Sequence, residues 1–79
     1  MPSQTAQAKI AAKRAENVSK LSIALAQINS YNSQILTSDM DAATLAGLGS
    51  LINSAALDVI YHAKQIAIID TGHHPLAGA

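Results

Sequence analysis

LAGLGSLINSAALDVIYHAKQIAII, residues 45–69, is the stretch that decides the fold of this chain. Apolar residues recur in it at alternating steps of three and four, the spacing that places side chains along one side of an α-helix. A second apolar row falls on roughly the opposite side of the helix and consists of Leu57, Ile60, Tyr61 and Ile68. One partner helix covers only one side, so the second row predicts contact with another subunit.

The composition of the chain favours self-association. Its 79 residues are enough for one domain with a small core. There is no cysteine, so disulfides cannot reinforce that core, and we expect a cytoplasmic protein or part of a large assembly. Charged residues make up 13% of the chain, roughly half the usual share, and the net charge is zero. Neutral, weakly charged chains repel one another little.

The first predicted helix covers residues 3–36, where Gly and Pro are absent and alanine is frequent near the beginning. Its apolar positions repeat with heptad-type spacing, and Asn32 is the polar exception. Such an amide can fix the register of a helix pair, or the apolar row can turn away from the core near its end. The predicted hairpin core consists of Val18, Leu21, Leu25, Ile28, Ile35, Leu45, Leu48, Ile52, Val59 and Ile66.

A turn at residues 37–39 separates the two predicted helices. Thr37 or Ser38 can cap the second helix, and the aspartates that follow place negative charge in its first turn. A connection of two to four residues makes consecutive helices antiparallel. The second helix is expected over residues 39–70.

Two glycines, Gly47 and Gly49, lie inside the second predicted helix and cost it about 1 kcal/mol each relative to alanine. They leave open a break there, which would give three helices. Gly72 ends the helix, and residues 71–79 form an irregular tail. The fold predicted for residues 1–79 is all-α: one antiparallel two-helix hairpin that packs into a homo-oligomeric helical bundle.

The sequence lacks the motifs of common catalytic sites. It has neither a glycine-rich phosphate loop nor the G-x-S-x-G turn of a nucleophilic serine. Asp70, His73 and His74 are of metal-ligand type, but a tail gives them no supporting residues. We therefore expect no enzymatic activity, no metal and no cofactor.

Four basic or titratable residues, Lys9, Lys13, Arg14 and His62, are the candidate contacts for a partner or ligand. The cations are few and have no aromatic residues among them, so a nucleic-acid partner is not expected. The uncharged stretches 21–38 and 42–57 fall short of the roughly 20 apolar residues that cross a membrane, so a membrane partner is not expected either.

The sequence therefore favours a non-enzymatic self-assembling structural subunit, a component of a ring, filament or shell, whose partner is another copy of itself. The alternative is an oligomeric binding or inhibitor module that sequesters a ligand or protein. A membrane-active hairpin is a further alternative, because small two-span proteins such as phage holins share this length and layout.

Overall fold

The structure, a computed structural model, describes residues 2–74, with side chains from Thr5 onward. It contains two helices, α1 over Pro2–Thr37 and α2 over Ala42–Asp70, and the described residues include no strand. The two helices pack against each other as a helical hairpin. Residues 75–79 of the expected tail lie outside the described part of the chain.

The helices run antiparallel, because contacts that advance along α1 move backward along α2. Arg14 contacts Asp70, whereas Asn17 contacts His62. The result is a rod that measures 58 × 16 × 14 Å between Cα atoms, with a radius of gyration of 17.4 Å. A globular chain of this length has a radius of gyration of about 12 Å. The hairpin is thus elongated, with much surface for its mass.

The connection between the helices covers residues 38–41, and α2 begins three residues later than the sequence predicts. Asp41 is the N-cap, since its carboxylate accepts a hydrogen bond of 2.8 Å from the backbone N–H of Thr44. Hydrogen bonds from Thr44 also lower the pKa of Asp41. The expectation that Thr37 or Ser38 caps α2 is wrong. The Thr37 hydroxyl instead donates to the carbonyl of Ser33 in the last turn of α1.

The C-terminal end of α2 matches the expectation that Gly72 stops the helix. Gly72 adopts a φ of 74°, in the left-handed region that glycine enters without strain. Its N–H donates to the carbonyl of Ile69, and the N–H of His73 donates to that of Ile68. This pair of bonds is a Schellman motif, which satisfies carbonyls that the helix leaves unpaired.

Helix α2 is continuous through Gly47 and Gly49, so the alternative of a break and a third helix is wrong. A Cβ atom built at either glycine would meet nothing within 4 Å apart from the local helix backbone. Packing inside the hairpin therefore does not explain why these positions lack a side chain.

The line along which the two helices meet, called the seam below, consists of buried and half-buried residues at three-four spacing. Its members are Ala6, Ile10, Asn17, Leu21, Ala24, Ile28 and Tyr31 on α1, and Leu48, Ile52, Ala55, Val59, His62, Ile66 and Ile69 on α2. Among the described side chains the buried residues are three alanines and Leu48, all still slightly exposed. The interior is therefore a thin line of contact rather than an enclosed core.

The seam of α1 keeps the predicted Leu21 and Ile28 but differs at the alternate positions, each of which is occupied by the preceding residue. Val18 and Leu25, expected in the core, are 41% and 44% exposed, and the residues before them, Asn17 and Ala24, face α2 instead. Ala24 suits this position because a small side chain lets the helices approach closely. Asn32, which the sequence placed in the apolar row, is exposed, and Tyr31 takes its place.

Two further residues expected in the core are exposed, namely Ile35 at the end of α1 and Leu45 near the start of α2. Both lie near the turn, where the helices end and each side chain has a neighbour on fewer sides. The other expected core residues are buried or half-buried in the seam: Leu21, Ile28, Leu48, Ile52, Val59 and Ile66.

Candidate functional site

A polar pair lies within the apolar seam. The side chains of Asn17 and His62 are part-buried, and Asn17 Oδ1 lies 2.8 Å from His62 Nδ1. The amide nitrogen of Asn17 donates to the carbonyl of Lys13, so the amide oxygen faces the ring. An amide oxygen only accepts, so Nδ1 of His62 carries the proton in this arrangement. The pair fixes which residues of the two helices lie level with one another.

That register explains where the alanines are buried. Ala24 lies seven residues, or two turns, after Asn17 on α1, and Ala55 lies seven residues before His62 on α2. Because the helices are antiparallel, these two alanines are level with each other. These two alanines are the most deeply buried of the described residues, at 2% and 3% exposure. Seven residues further, Tyr31 comes level with Leu48. The polar pair therefore positions small residues opposite each other, as close helix packing requires.

An ion pair ties α1 to the C-terminal end of α2. Arg14 Nε donates to Asp70 Oδ1 at 2.8 Å, and Arg14 Nη2 donates to Asp70 Oδ2 at 3.0 Å. The hydrogen bonds to Arg14 lower the pKa of Asp70, and the same contact raises the pKa of Arg14. Both side chains are about half exposed, so water screens the pair. Arg14, a candidate for partner contact, is thus engaged within its own chain.

The remaining cations of α1 surround one carboxylate. Lys20 Nζ donates to Glu16 Oε1 at 2.9 Å, and Lys13 Nζ lies 3.5 Å from Glu16 Oε2. The hydrogen bond from Lys20 and the charge of Lys13 lower the pKa of Glu16. Lys9, one helical turn earlier than Lys13, is exposed. Two of the four expected contact residues, Lys13 and His62, line the cavity described next.

Two shallow cavities lie along the same side of the hairpin, each of about 220 Å³. The first lies between Glu16 and Lys20 of α1 and Tyr61 and Gln65 of α2, and the second lies beside it around Ile23. Sites for small organic ligands are usually about 300–1,000 Å³ and enclose most of the ligand. These cavities are smaller than that. Lysine and carboxylate side chains line both, Glu16 in the first and Asp58 in the second.

The residues expected to contact another subunit lie on the outer side of α2. Leu57, Ile60 and Tyr61 are 57%, 62% and 56% exposed, and Ile68 is half-buried. The Tyr61 ring meets the His62 ring edge-on, with 5.0 Å between their centroids. The hairpin itself therefore leaves most of this apolar row uncovered.

Within residues 2–74, no group of three or more His, Cys, Asp or Glu residues could hold a metal ion. Asp70 is paired with Arg14, and Nδ1 of His73 lies 3.3 Å from the hydroxyl of Thr71. The sequence places these residues together at the tail, but the structure gives them separate neighbours.

Helix α2 is long and apolar enough, by length and composition alone, to cross a membrane. Only 11% of its most apolar window is buried in the hairpin. The uncharged stretch 42–57 is too short to cross by itself, but the whole helix passes this test although Asp58 and Lys64 lie within it. Core helices of soluble proteins pass the same test, but they are mostly buried.

Comparison with known proteins gives no matching family model, no matching curated protein and no matching solved structure.

Proposed function

We propose that the protein is a non-enzymatic structural subunit that assembles with copies of itself. The observation that carries this proposal is the surface of the hairpin. It exposes 5423 Å², whereas a compact monomer of 8.2 kDa exposes about 4,500 Å². The excess of about 900 Å² is close to the area that one partner buries in a stable protein interface, about 800 Å².

The chemistry of that surface supports the same proposal. Ten large apolar or aromatic side chains of the described residues are exposed, three of them from the outer row of α2. Isolated exposed apolar residues are ordinary, but large contiguous apolar patches on a soluble chain usually mark an interaction site. Assembly would cover them, and we assign Leu57, Ile60, Tyr61 and Ile68 to contacts between subunits.

Charge favours a second copy of this chain as the partner. The first twenty residues carry four cations and one anion, a net of +3, and the rest carries a net of −3. Because the whole chain is neutral, copies meet without net repulsion, and the basic segment of one copy can attract acidic residues of another across a subunit boundary.

A membrane-active hairpin is the second candidate, and the apolar character of α2 favours it. Against it, Asp58 lies near the middle of α2, and an aspartate or lysine at the centre of a membrane-spanning helix costs about 2.5–3.5 kcal/mol. Lys64 adds a second charge in the same helix. A sequestering module has less support, because the cavities are small and open to solvent.

Size-exclusion chromatography with light scattering tests the proposal on protein purified without detergent. We expect a mass that is a multiple of 8.2 kDa. Ile60→Asp should lower that mass, because it places a charge in an apolar contact, whereas Asp58→Asn should leave it unchanged. A wild-type monomer would contradict the proposal, and protein recovered only in the membrane fraction would favour the second candidate.

A further inference from the structure

The two long sides of the hairpin differ in charge, and the seam defines them. On each helix, the residue before a seam position points to one side of the plane that contains both axes, and the residue after it points to the other. Glu16 and Lys20 precede seam residues on α1, and Tyr61 and Gln65 precede seam residues on α2. All four line one cavity, so the preceding residues of both helices share a side, called the charged face.

The residues that follow seam positions form the opposite side, called the uncharged face. Its exposed apolar members include Val18 and Leu25 of α1 and Ile60 of α2. Among the described positions that follow a seam residue, the single charged one is Asp70, at the end of the rod. Arg14 neutralises that carboxylate by the bidentate ion pair. The uncharged face is therefore without net charge along its length.

We infer that the uncharged face is the surface through which two copies of this chain first pair, face to face, to form a four-helix bundle. The inference rests on the proposed function and specifies the contact within it. The exposure of Val18, Leu25 and Ile60 follows directly, because these residues are covered in the pair rather than in the single hairpin. Tyr61 and Ile68 precede seam residues and so belong to the charged face, and Leu57 lies on the outer side of α2; these three remain for contacts between pairs.

The area of the face suits a single partner of the same size. A hairpin 58 Å long and 16 Å wide offers a long side large enough for the roughly 800 Å² that each partner buries in a stable interface. The surface in excess of a compact monomer has nearly the same value. One interface per chain would therefore account for it.

Polar groups on the uncharged face favour protein over lipid as the covering partner. Asn29, Asn32 and Asn53 each follow a seam residue and are exposed. Their amides can hydrogen-bond to each other across two copies, whereas hydrocarbon offers no partner. Gly49 also lies on this face, and a Cβ there would meet nothing within 4 Å in the single hairpin. In the pair, Gly49 lets the second backbone approach α2 closely.

A matched pair of substitutions on α1 tests the inference. Leu25 lies on the uncharged face and Ile23 on the charged face, and they are 44% and 56% exposed. We expect Leu25→Glu to raise the dissociation constant of the pair at least about 100-fold, since each symmetry-related copy brings a carboxylate into the contact. Ile23→Glu should change it less than about threefold. Sedimentation velocity measures both, and circular dichroism checks that each variant stays helical.

Labelling provides a second measurement that needs no disruption of the contact. The chain has no cysteine, so Leu25→Cys and Ile23→Cys each introduce a single thiol. Maleimide should react with the thiol at position 25 more slowly than at position 23, and dilution should remove the difference. Equal rates at every concentration, or slower reaction at position 23, would overturn the inference.

The outcomes separate the inference from the proposed function. An oligomer that Ile23→Glu dissociates and Leu25→Glu leaves intact overturns the inference but retains self-assembly. A wild-type monomer overturns both. If that monomer floats with phospholipid vesicles, lipid rather than a second copy of the chain covers the uncharged face.

Discussion

Leu48→Ala offers the most direct test of where this hairpin is held together. Leu48 is the largest buried side chain among the described residues, at 8% exposure, and the register set by the Asn17–His62 contact brings it level with Tyr31 in the seam. Removing a buried leucine side chain usually costs about 2–5 kcal/mol. We expect about 2–3 kcal/mol here, because neither helix encloses the site from behind and the space left can partly collapse.

Leu51→Ala is the matched control, three residues further along the same helix. Leu51 is 49% exposed, so about half of its apolar surface is already in water, and we expect a cost of about 1 kcal/mol or less. Urea unfolding followed by circular dichroism, at one fixed protein concentration, gives both values. An equal or larger cost for Leu51→Ala would refute the position of the seam on α2.

Three further outcomes follow from the polar contacts. Asp41→Ala should lower the free energy of unfolding by about 0.5–2 kcal/mol in the same urea assay, because α2 loses its N-cap. Asn17→Leu alone should destabilise the hairpin by about 1–3 kcal/mol by leaving His62 unpaired, whereas Asn17→Leu with His62→Leu should restore stability or exceed it. The folded-state pKa of Asp70 lies below its usual value of 3.8, so its pairing with Arg14 stabilises the fold above pH 3.8 and is lost as the pH falls through the folded-state value. Asp70→Asn should therefore lose less stability than the wild type when urea unfolding is compared between about pH 5 and about pH 3; an equal loss in both proteins would contradict the pairing.

The seam of α2 can be predicted from the sequence because few other apolar residues of this helix fit the same three-four spacing. Leu48, Ile52 and Val59 keep the three-four spacing, and residues of the opposite side are either polar or belong to a distinct second row. The interval between the helices was also short enough to predict a hairpin, although several adjacent capping residues obscured which one begins α2. The structure uses Asp41, whose carboxylate accepts from the backbone N–H of Thr44; each neighbouring candidate could make the same kind of bond three residues further on, so the pattern does not choose among them.

The seam of α1 could not be placed from apolar spacing alone. Val18 and Leu25 are the more apolar choices, yet Asn17 and Ala24 face α2, because Asn17 pairs with His62 and the small Ala24 is buried level with Ala55. Both reasons depend on the partner helix, which a pattern along one helix does not contain. The Arg14–Asp70 ion pair was missed for the same reason, as it joins residues 56 positions apart.

The central claim is that a single hairpin cannot cover its own apolar surface, so copies of the chain cover one another. Sedimentation equilibrium of the wild-type protein across a dilution series tests this claim most directly. At tens of micromolar we predict a mass of at least two chains of 8.2 kDa each. This mass should fall toward that of a single chain on dilution. A soluble, fully helical protein of 8.2 kDa at every concentration would contradict the claim.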